Sequence, residues 1–258
     1  MRKNRVRSEF ILSMAAFISV IACATSEKMV VAPRAMIKGA DYVGQETCAL
    51  CHEEIVTDFR YTDHGRIRIS GADERVKGQG CEACHGPGSL HLEAGGGRGT
   101  YILNPGKDPE TCFQCHLAVK ARFSLQYRHP VMENRMSCPD CHNPHGKDIY
   151  KVAGRYVGRE NDVCMQCHRE QARHRVFEHE ALRDGCTTCH NVHGSINDKM
   201  LIERDNNLCL KCHAQLSTPG MIVIGDFSHT SRLAEGTCWS AGCHTAVHGS
   251  DLNAHLRY

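Results

Sequence analysis

The chain has 258 residues, 17 cysteines and 18 histidines against 6% aromatic residues, and a formal charge of +2. The 41% hydrophobic fraction includes those cysteines, so the aliphatic and aromatic material is thin for a side-chain core of this length. Basic residues are scattered rather than clustered, which argues against a nucleic-acid partner.

Taken from the N-terminus, MRKNRVR carries four basic residues and FILSMAAFISVIA, residues 10–22, is an apolar run of thirteen. This pairing predicts a signal peptide over 1–22, because thirteen residues are too few for a membrane-spanning helix. The stretch ending Val20-Ile21-Ala22 resembles the lipobox before a bacterial lipidated cysteine, which makes Cys23 the expected lipidation site and a membrane anchor. Ala24 in the next position points to the outer membrane; ordinary cleavage after Ala24 at an A-x-A site is the alternative. Residues 23–44 carry no motif and read as a tether or linker. Export would drive the other 16 cysteines into disulfides unless something else consumes them.

From residue 45 to 258 the chain divides into four modules, about 45–108, 109–160, 161–205 and 206–258, each holding two copies of one motif. Seven copies read C-x-x-C-H: Cys48/Cys51/His52, Cys81/Cys84/His85, Cys112/Cys115/His116, Cys138/Cys141/His142, Cys164/Cys167/His168, Cys186/Cys189/His190 and Cys209/Cys212/His213. An eighth is stretched to C-x4-C-H, with Cys238, Cys243 and His244, and all 16 cysteines are then used. This is the attachment signature of c-type haem. Two thiols add across the porphyrin vinyl groups, so their separation must match the macrocycle edge, and the imidazole that follows reaches the iron. A structural zinc site needs no histidine after every second cysteine, and a disulfide framework needs none at all. Eight covalently bound haem c groups are therefore expected, with the second residue of this logic, the histidine, as proximal iron ligand in each.

The first motifs run into proline- and glycine-free stretches, CALCHEEIVTDFRYTDH, CFQCHLAVKARFSLQY and CMQCHREQARHRVFEHEAL, whose apolar spacing predicts helices. The second motifs run into turns such as NPHG and NVHG. GGGRG at 95–99 lacks the flanking strand and helix of a phosphate cradle and reads as an outer loop of the first module. The expected fold is a multihaem cytochrome c: mostly coil with short α-helices wrapped around a stacked haem chain, with little or no β.

Ten histidines remain after the eight proximal ones. Each module has a spacer histidine between its motifs and a trailing histidine after the second: His64 and His91, His129 and His145, His179 and His193, His229 and His248. His129, His179 and His229 are fifty residues apart, as a repeat requires. These eight are the candidate distal ligands. His145 follows His142 by only three residues, too short a tether to reach the opposite face of the same iron, so it is expected to serve a neighbouring haem. His179 is preferred to His174 because His179-Glu-Ala-Leu before Cys186 lines up with His129-Pro-Val-Met before Cys138; His174 and His255 are left over. No methionine recurs at a fixed module position, so Met136 and Met165 read as packing residues.

The segments CEACHGPGSLH (81–91), CPDCHNPHG (138–146) and CTTCHNVHG (186–194) resemble the periplasmic multihaem cytochromes of the MtrA/DmsE type, and in particular their octahaem, OmaB/OmaC-like counterparts in porin–cytochrome conduits. The resemblance runs from about residue 45 to 249. It implies a haem chain threaded through an outer-membrane β-barrel porin, passing electrons from periplasmic or inner-membrane cytochrome donors to an extracellular multihaem cytochrome, as in metal reduction. The chain differs from the decahaem members in having eight motifs, and in its stretched last one.

Removing the +3 of the signal residues leaves the mature chain near −1, and haem propionates would make it acidic, favouring basic partner surfaces. An iron held by two imidazoles has no open position for substrate, so no catalytic residue is assigned and electron transfer is the expected role. The alternatives are a multihaem reductase of nitrite, hydroxylamine or a sulfur oxyanion, for which the stretched motif at Cys238 is the best place, and a filament-forming extracellular cytochrome.

Overall fold

A computed structural model describes residues 37–66, 80–146, 159–213, 216–240 and 242–258. The expected signal peptide, Cys23 and the tether up to residue 36 lie outside the described residues. The chain is mostly coil with short helices. In chain order these are α1 Gln45–Phe59, α2 Asp63–Arg66, α3 Cys81–His85, α4 Ser89–Glu93, α5 Glu110–Phe113, α6 Leu117–Phe123, α7 Arg159–Met165, α8 Arg169–Ala172 and α9 Asn206–His213. Among the described residues no helix is long and apolar enough to cross a membrane.

The long helices expected after the first motifs are interrupted, and always at the motif histidine. His52 (φ −119°, ψ 40°) kinks α1, His116 (φ −93°, ψ 53°) separates α5 from α6, and His168 (φ −101°, ψ 48°) separates α7 from α8. In an unbroken helix a side chain leans back over its own preceding turn. Leaving the α region at this residue re-aims the ring relative to the helix that carries the cysteines. The motif itself closes as one turn: His116, His142, His168 and His190 each donate their amide N–H to the carbonyl of the first cysteine, at 3.1, 2.9, 2.8 and 3.0 Å. In the stretched motif His244 still donates to Cys238 O, at 3.0 Å. The two extra residues are absorbed in the loop, and the relation of histidine to first cysteine is kept.

A small antiparallel meander lies between the last two motifs: β1 Ser217–Thr218, β2 Met221–Ile224 and β3 Phe227–Ser228, in the order β1-β2-β3. Its register pairs Thr218 with Met221 and Ile224 with Phe227. Two turns make it. Pro219-Gly220 puts Gly220 at φ 82°, and Gly225-Asp226 has positive φ at both central positions, 55° and 64°, the geometry that matches strand twist in two-residue hairpins.

Side-chain packing is sparse. Among the described residues the buried apolar side chains are Val56, Phe59, Phe113, Phe123 and Val131. Phe113, Phe123 and Val131 form one cluster, against which Val119 and Met136 pack. The carboxylate of Glu82, 3% exposed, accepts N–H bonds from Val43 (2.9 Å), Gly44 (2.9 Å) and Gly88 (3.0 Å), which ties the start of α1 to α3. The interior is instead a continuous channel of about 4950 Å³ lined by the motif cysteines and histidines. Shared among eight motifs it gives about 620 Å³ each, inside the roughly 300–1,000 Å³ range of small-molecule and cofactor pockets.

Candidate functional site

The thiols form an ordered series. Within modules one, two and four, the first cysteines of the two motifs meet, as Cys48 with Cys81, Cys112 with Cys138 and Cys209 with Cys238. The hydrogen bond between the partners, ahead of burial, pushes Cys81, Cys112 and Cys209 up and holds Cys48, Cys138 and Cys238 at about 7. Between modules the second motif of one approaches the first motif of the next: burial, then Cys115, raises Cys84; burial, then Cys164, raises Cys141; burial, then Cys212, raises Cys189. These sulfurs stand where thioether sulfurs would be in the loaded chain, so the proton sharing belongs to the unloaded thiols alone. An asparagine also ties the motifs of module three: Asn161 Oδ1 accepts from Cys186 N at 3.0 Å while Asn161 Nδ2 donates to Leu182 O. Asn206 repeats this in module four, accepting from Cys238 N at 2.8 Å and donating to Gly236 O.

Six pairs of imidazoles meet among the described residues, each across a module boundary. His64 lies beside His116 with ring centroids 6.0 Å apart, His129 beside His168 at 6.1 Å, and His179 beside His213 at 6.1 Å. A spacer histidine thus reaches forward to the first motif of the next module. His145 lies beside His85 at 5.8 Å, His193 beside His142 at 6.1 Å, and His248 beside His190 at 6.2 Å. A trailing histidine thus reaches back to the second motif of the previous module. Nε2 of His85 and of His145 are 3.5 Å apart, close to the ~4 Å that two collinear metal–imidazole bonds of ~2 Å would span.

Backbone carbonyls orient these rings. Nδ1 donates to Leu103 O from His85, Val192 O from His129, Val247 O from His179 and Lys199 O from His190, at 2.8–2.9 Å. Because a carbonyl can only accept, each such bond places the proton on Nδ1 and leaves the Nε2 lone pair free for a metal. Burial first, then neighbouring imidazoles, lowers the pKa of His116, His145, His193 and His248. The neutral form that ligation requires is the favoured one.

The boundaries between modules two and three, and three and four, share a clasp. Tyr127 and Ser195 exchange backbone hydrogen bonds (3.0 and 2.8 Å), and Phe177 and Ser250 do the same (both 2.8 Å). Each aromatic residue lies two before a spacer histidine and each serine two after a trailing one, in the sequence His-Gly-Ser. The glycine between them must be glycine. Gly194 has φ +146° and a Cβ there would strike the Arg122 carbonyl oxygen; Gly249 has φ +113° and a Cβ there would lie 2.7 Å from Arg175 Cγ.

The expected site residues fall into two groups. The fifty-residue spacing could not say which distal candidate meets which motif, but the fold brings six proximal and six distal histidines together. His52 and His244, at the two ends of the array, have no imidazole in ring contact among the described residues. Of the remaining candidates, His91 Nδ1 donates to Thr100 O (2.8 Å) and His229 Nδ1 to Phe227 O (3.0 Å), each within its own module. His244 is oriented from behind by the carbonyl of His255, at 2.6 Å. His174 is fully exposed and pairs with Glu178, which agrees with the preference for His179. Sequence reasoning did not single out Glu82, Asn161, Asn206, Ser195 or Ser250. The signals that would have found the last four are an asparagine three residues before the first motif of modules three and four, and the recurring His-Gly-Ser.

The donors suit c-type haem. Two thiols on one edge and one imidazole on each face are what the group requires, and among the described residues no three His, Cys, Asp or Glu side chains converge on one point as a metal ion alone would need. A family described as a doubled CXXCH motif matches residues 129–173 and 179–218. The multiheme cytochrome MtrA of Shewanella baltica is 29% identical across 81% of this chain and 79% of its own length. The cytochrome c-type protein NrfB of Escherichia coli is 29% identical across 49% of this chain and 58% of its own. The dissimilatory sulfite reductase MccA of Wolinella succinogenes is 26% identical across 59% of this chain and 25% of its own. The chain therefore spans about four-fifths of the first, over half of the second and a quarter of the third.

Proposed function

We propose that this chain, a multihaem c-type cytochrome similar to MtrA of Shewanella baltica, relays electrons through eight haems between periplasmic donors and the outer membrane, as one part of a porin–cytochrome complex. The motif cysteines would hold the haems by thioether bonds, and each motif histidine would be the proximal ligand. His64, His129 and His179 would serve the irons of His116, His168 and His213; His145, His193 and His248 would serve those of His85, His142 and His190. Haem supplies the one-electron couple. The protein's own work is to close both faces of the interior irons with neutral imidazole, fix ring orientation through backbone carbonyls, and hold the edges in series.

The observation that carries this reading is the pairing of imidazoles across module boundaries. Closed faces leave no position for substrate, and bis-imidazole ligation favours a low potential. The order of the cysteine contacts supports a single file of haems that follows the order of the motifs, which suits a wire. Haem-stained outer membranes test the assignment: a porin and a second cytochrome should co-purify with the chain, and recovery only as a free soluble protein would overturn the conduit role. The reductase reading keeps one observation in its favour, the end positions His52 and His244, which lack the cross-boundary partner.

A further inference from the structure

The rule that pairs the other second-motif histidines does not extend to His244. Every second-motif histidine before the last, His85, His142 and His190, faces a trailing histidine from the following module. His244 has no imidazole in ring contact among the described residues, yet its ring is held from behind by His255 O as firmly as His85 and His190 are held by their own carbonyls. A spare imidazole of suitable tautomer is His229. Its Nδ1 donates to Phe227 O, leaving Nε2 free, and the ring of Phe227 lies 6.0 Å from that of His255, whose carbonyl holds His244.

His229 is presented differently from its equivalents. His129 and His179 follow Tyr127 and Phe177, whose backbones are clasped by Ser195 and Ser250 of the next module. His229 follows Phe227, which pairs instead with Ile224 inside the exposed meander. Phe227 is 63% exposed and Met221 47%. The meander thus holds His229 in place of such a clasp, with strands of two and four residues. A short hairpin of this kind is marginal by itself, and exposed, thinly packed segments open at low free-energy cost.

Building on the reading of eight haems given above, we propose that His229 is the distal ligand of the iron held by His244, and that this terminal haem is a site where small iron-binding molecules displace the protein ligand. The exchange is a substitution without redox change: the iron–Nε2 bond to His229 breaks, His229 leaves as neutral imidazole, and the incoming donor supplies the new electron pair. Carbon monoxide suits the ferrous state and cyanide the ferric state. The six haems with cross-boundary imidazoles stay closed.

The test uses the full-length holoprotein, with haem spin state read by electron paramagnetic resonance and absorbance. Wild type is expected to be low-spin at the His244 haem and to bind carbon monoxide there when reduced, well before any uptake by the six closed haems. His229→Ala should turn one haem in eight high-spin, with low spin restored by added imidazole, and should speed carbon monoxide uptake without raising its stoichiometry. His193→Ala is the control for the underlying reading, since it removes an interior distal ligand and should also create one high-spin haem. If His193→Ala does so and His229→Ala leaves all haems low-spin, this inference is overturned and the ligation scheme stands. If neither variant changes the spin state, the ligation scheme falls as well. Wild type that takes up no carbon monoxide or cyanide at large excess overturns the exchange.

Discussion

At the residue scale the glycines of His-Gly-Ser carry the sharpest constraint. Gly194 and Gly249 combine a backbone conformation that L side chains rarely adopt with contact against the preceding module. Gly194→Ala should therefore lower the holoprotein's resistance to chemical denaturation by about 1–3 kcal/mol, the usual cost of a strained backbone residue. Gly106 is a fair comparison, because a Cβ there meets nothing nearer than Asn104 Oδ1 at 3.3 Å, and Gly106→Ala should stay within about 0.5 kcal/mol. Equal effects would show that the close approach to Arg122 does not matter. The motif cysteines and histidines stand out in the sequence because covalent haem attachment would fix their spacing. The distal pairs do not, because which imidazole meets which depends on how modules abut, and a fifty-residue period gives the candidates without giving the direction in which each one reaches.

At the element scale, two small devices hold the third and fourth modules together. Ser250, 1% exposed, donates to Tyr258 O at 2.8 Å and accepts from Leu252 N and Asn253 N, both at 3.1 Å. Ser250→Ala leaves buried backbone groups without partners, which costs about 1–3 kcal/mol. The loss should appear as faster proteolysis of the C-terminal segment, and unchanged cleavage would count against the role. Beside it, Arg173 and Arg175 both bond Glu170 and Asp251, and Asp251 also accepts from Val176 N at 3.2 Å. The bond from Arg173 holds both carboxyls below their ordinary values. Depressed carboxylates stabilise the fold above their ordinary values of 4.5 and 3.8, and the contribution is lost as pH falls through the lower folded values. Hydrogen exchange corrected for intrinsic rate should therefore quicken at the Val176 amide as pH drops below about 4. The pairs are exposed and screened, so global stability should change little there. The helices after the first motifs were foreseen and their interruption at His52, His116 and His168 was not, because apolar periodicity reports which face is buried and not where a ring must be aimed. The meander was missed for a different reason: MIVI is short, and only the turns Pro219-Gly220 and Gly225-Asp226 identify it.

At the scale of the whole molecule, repeats that contact only their neighbours usually gain stability piecewise. This chain has stronger links. Each boundary carries two imidazole pairs, one reaching forward and one back, and two boundaries add a backbone clasp and a glycine contact. With haem held as proposed, no interior module would unfold without stripping ligands from haems in its neighbours. Loss of iron ligation followed by absorbance and loss of helix followed by circular dichroism should then coincide in one denaturant transition, where independent modules would give staggered ones. A link in the middle is the best place to break this coupling. His129→Ala removes the imidazole that module two sends to the first motif of module three, so it should turn one haem high-spin and split the transition, with the halves on either side of the boundary melting separately. A single transition shifted to lower denaturant would mean that the clasp at Tyr127 and Ser195 is enough to hold the halves together, and Gly194→Ala combined with His129→Ala should then separate them.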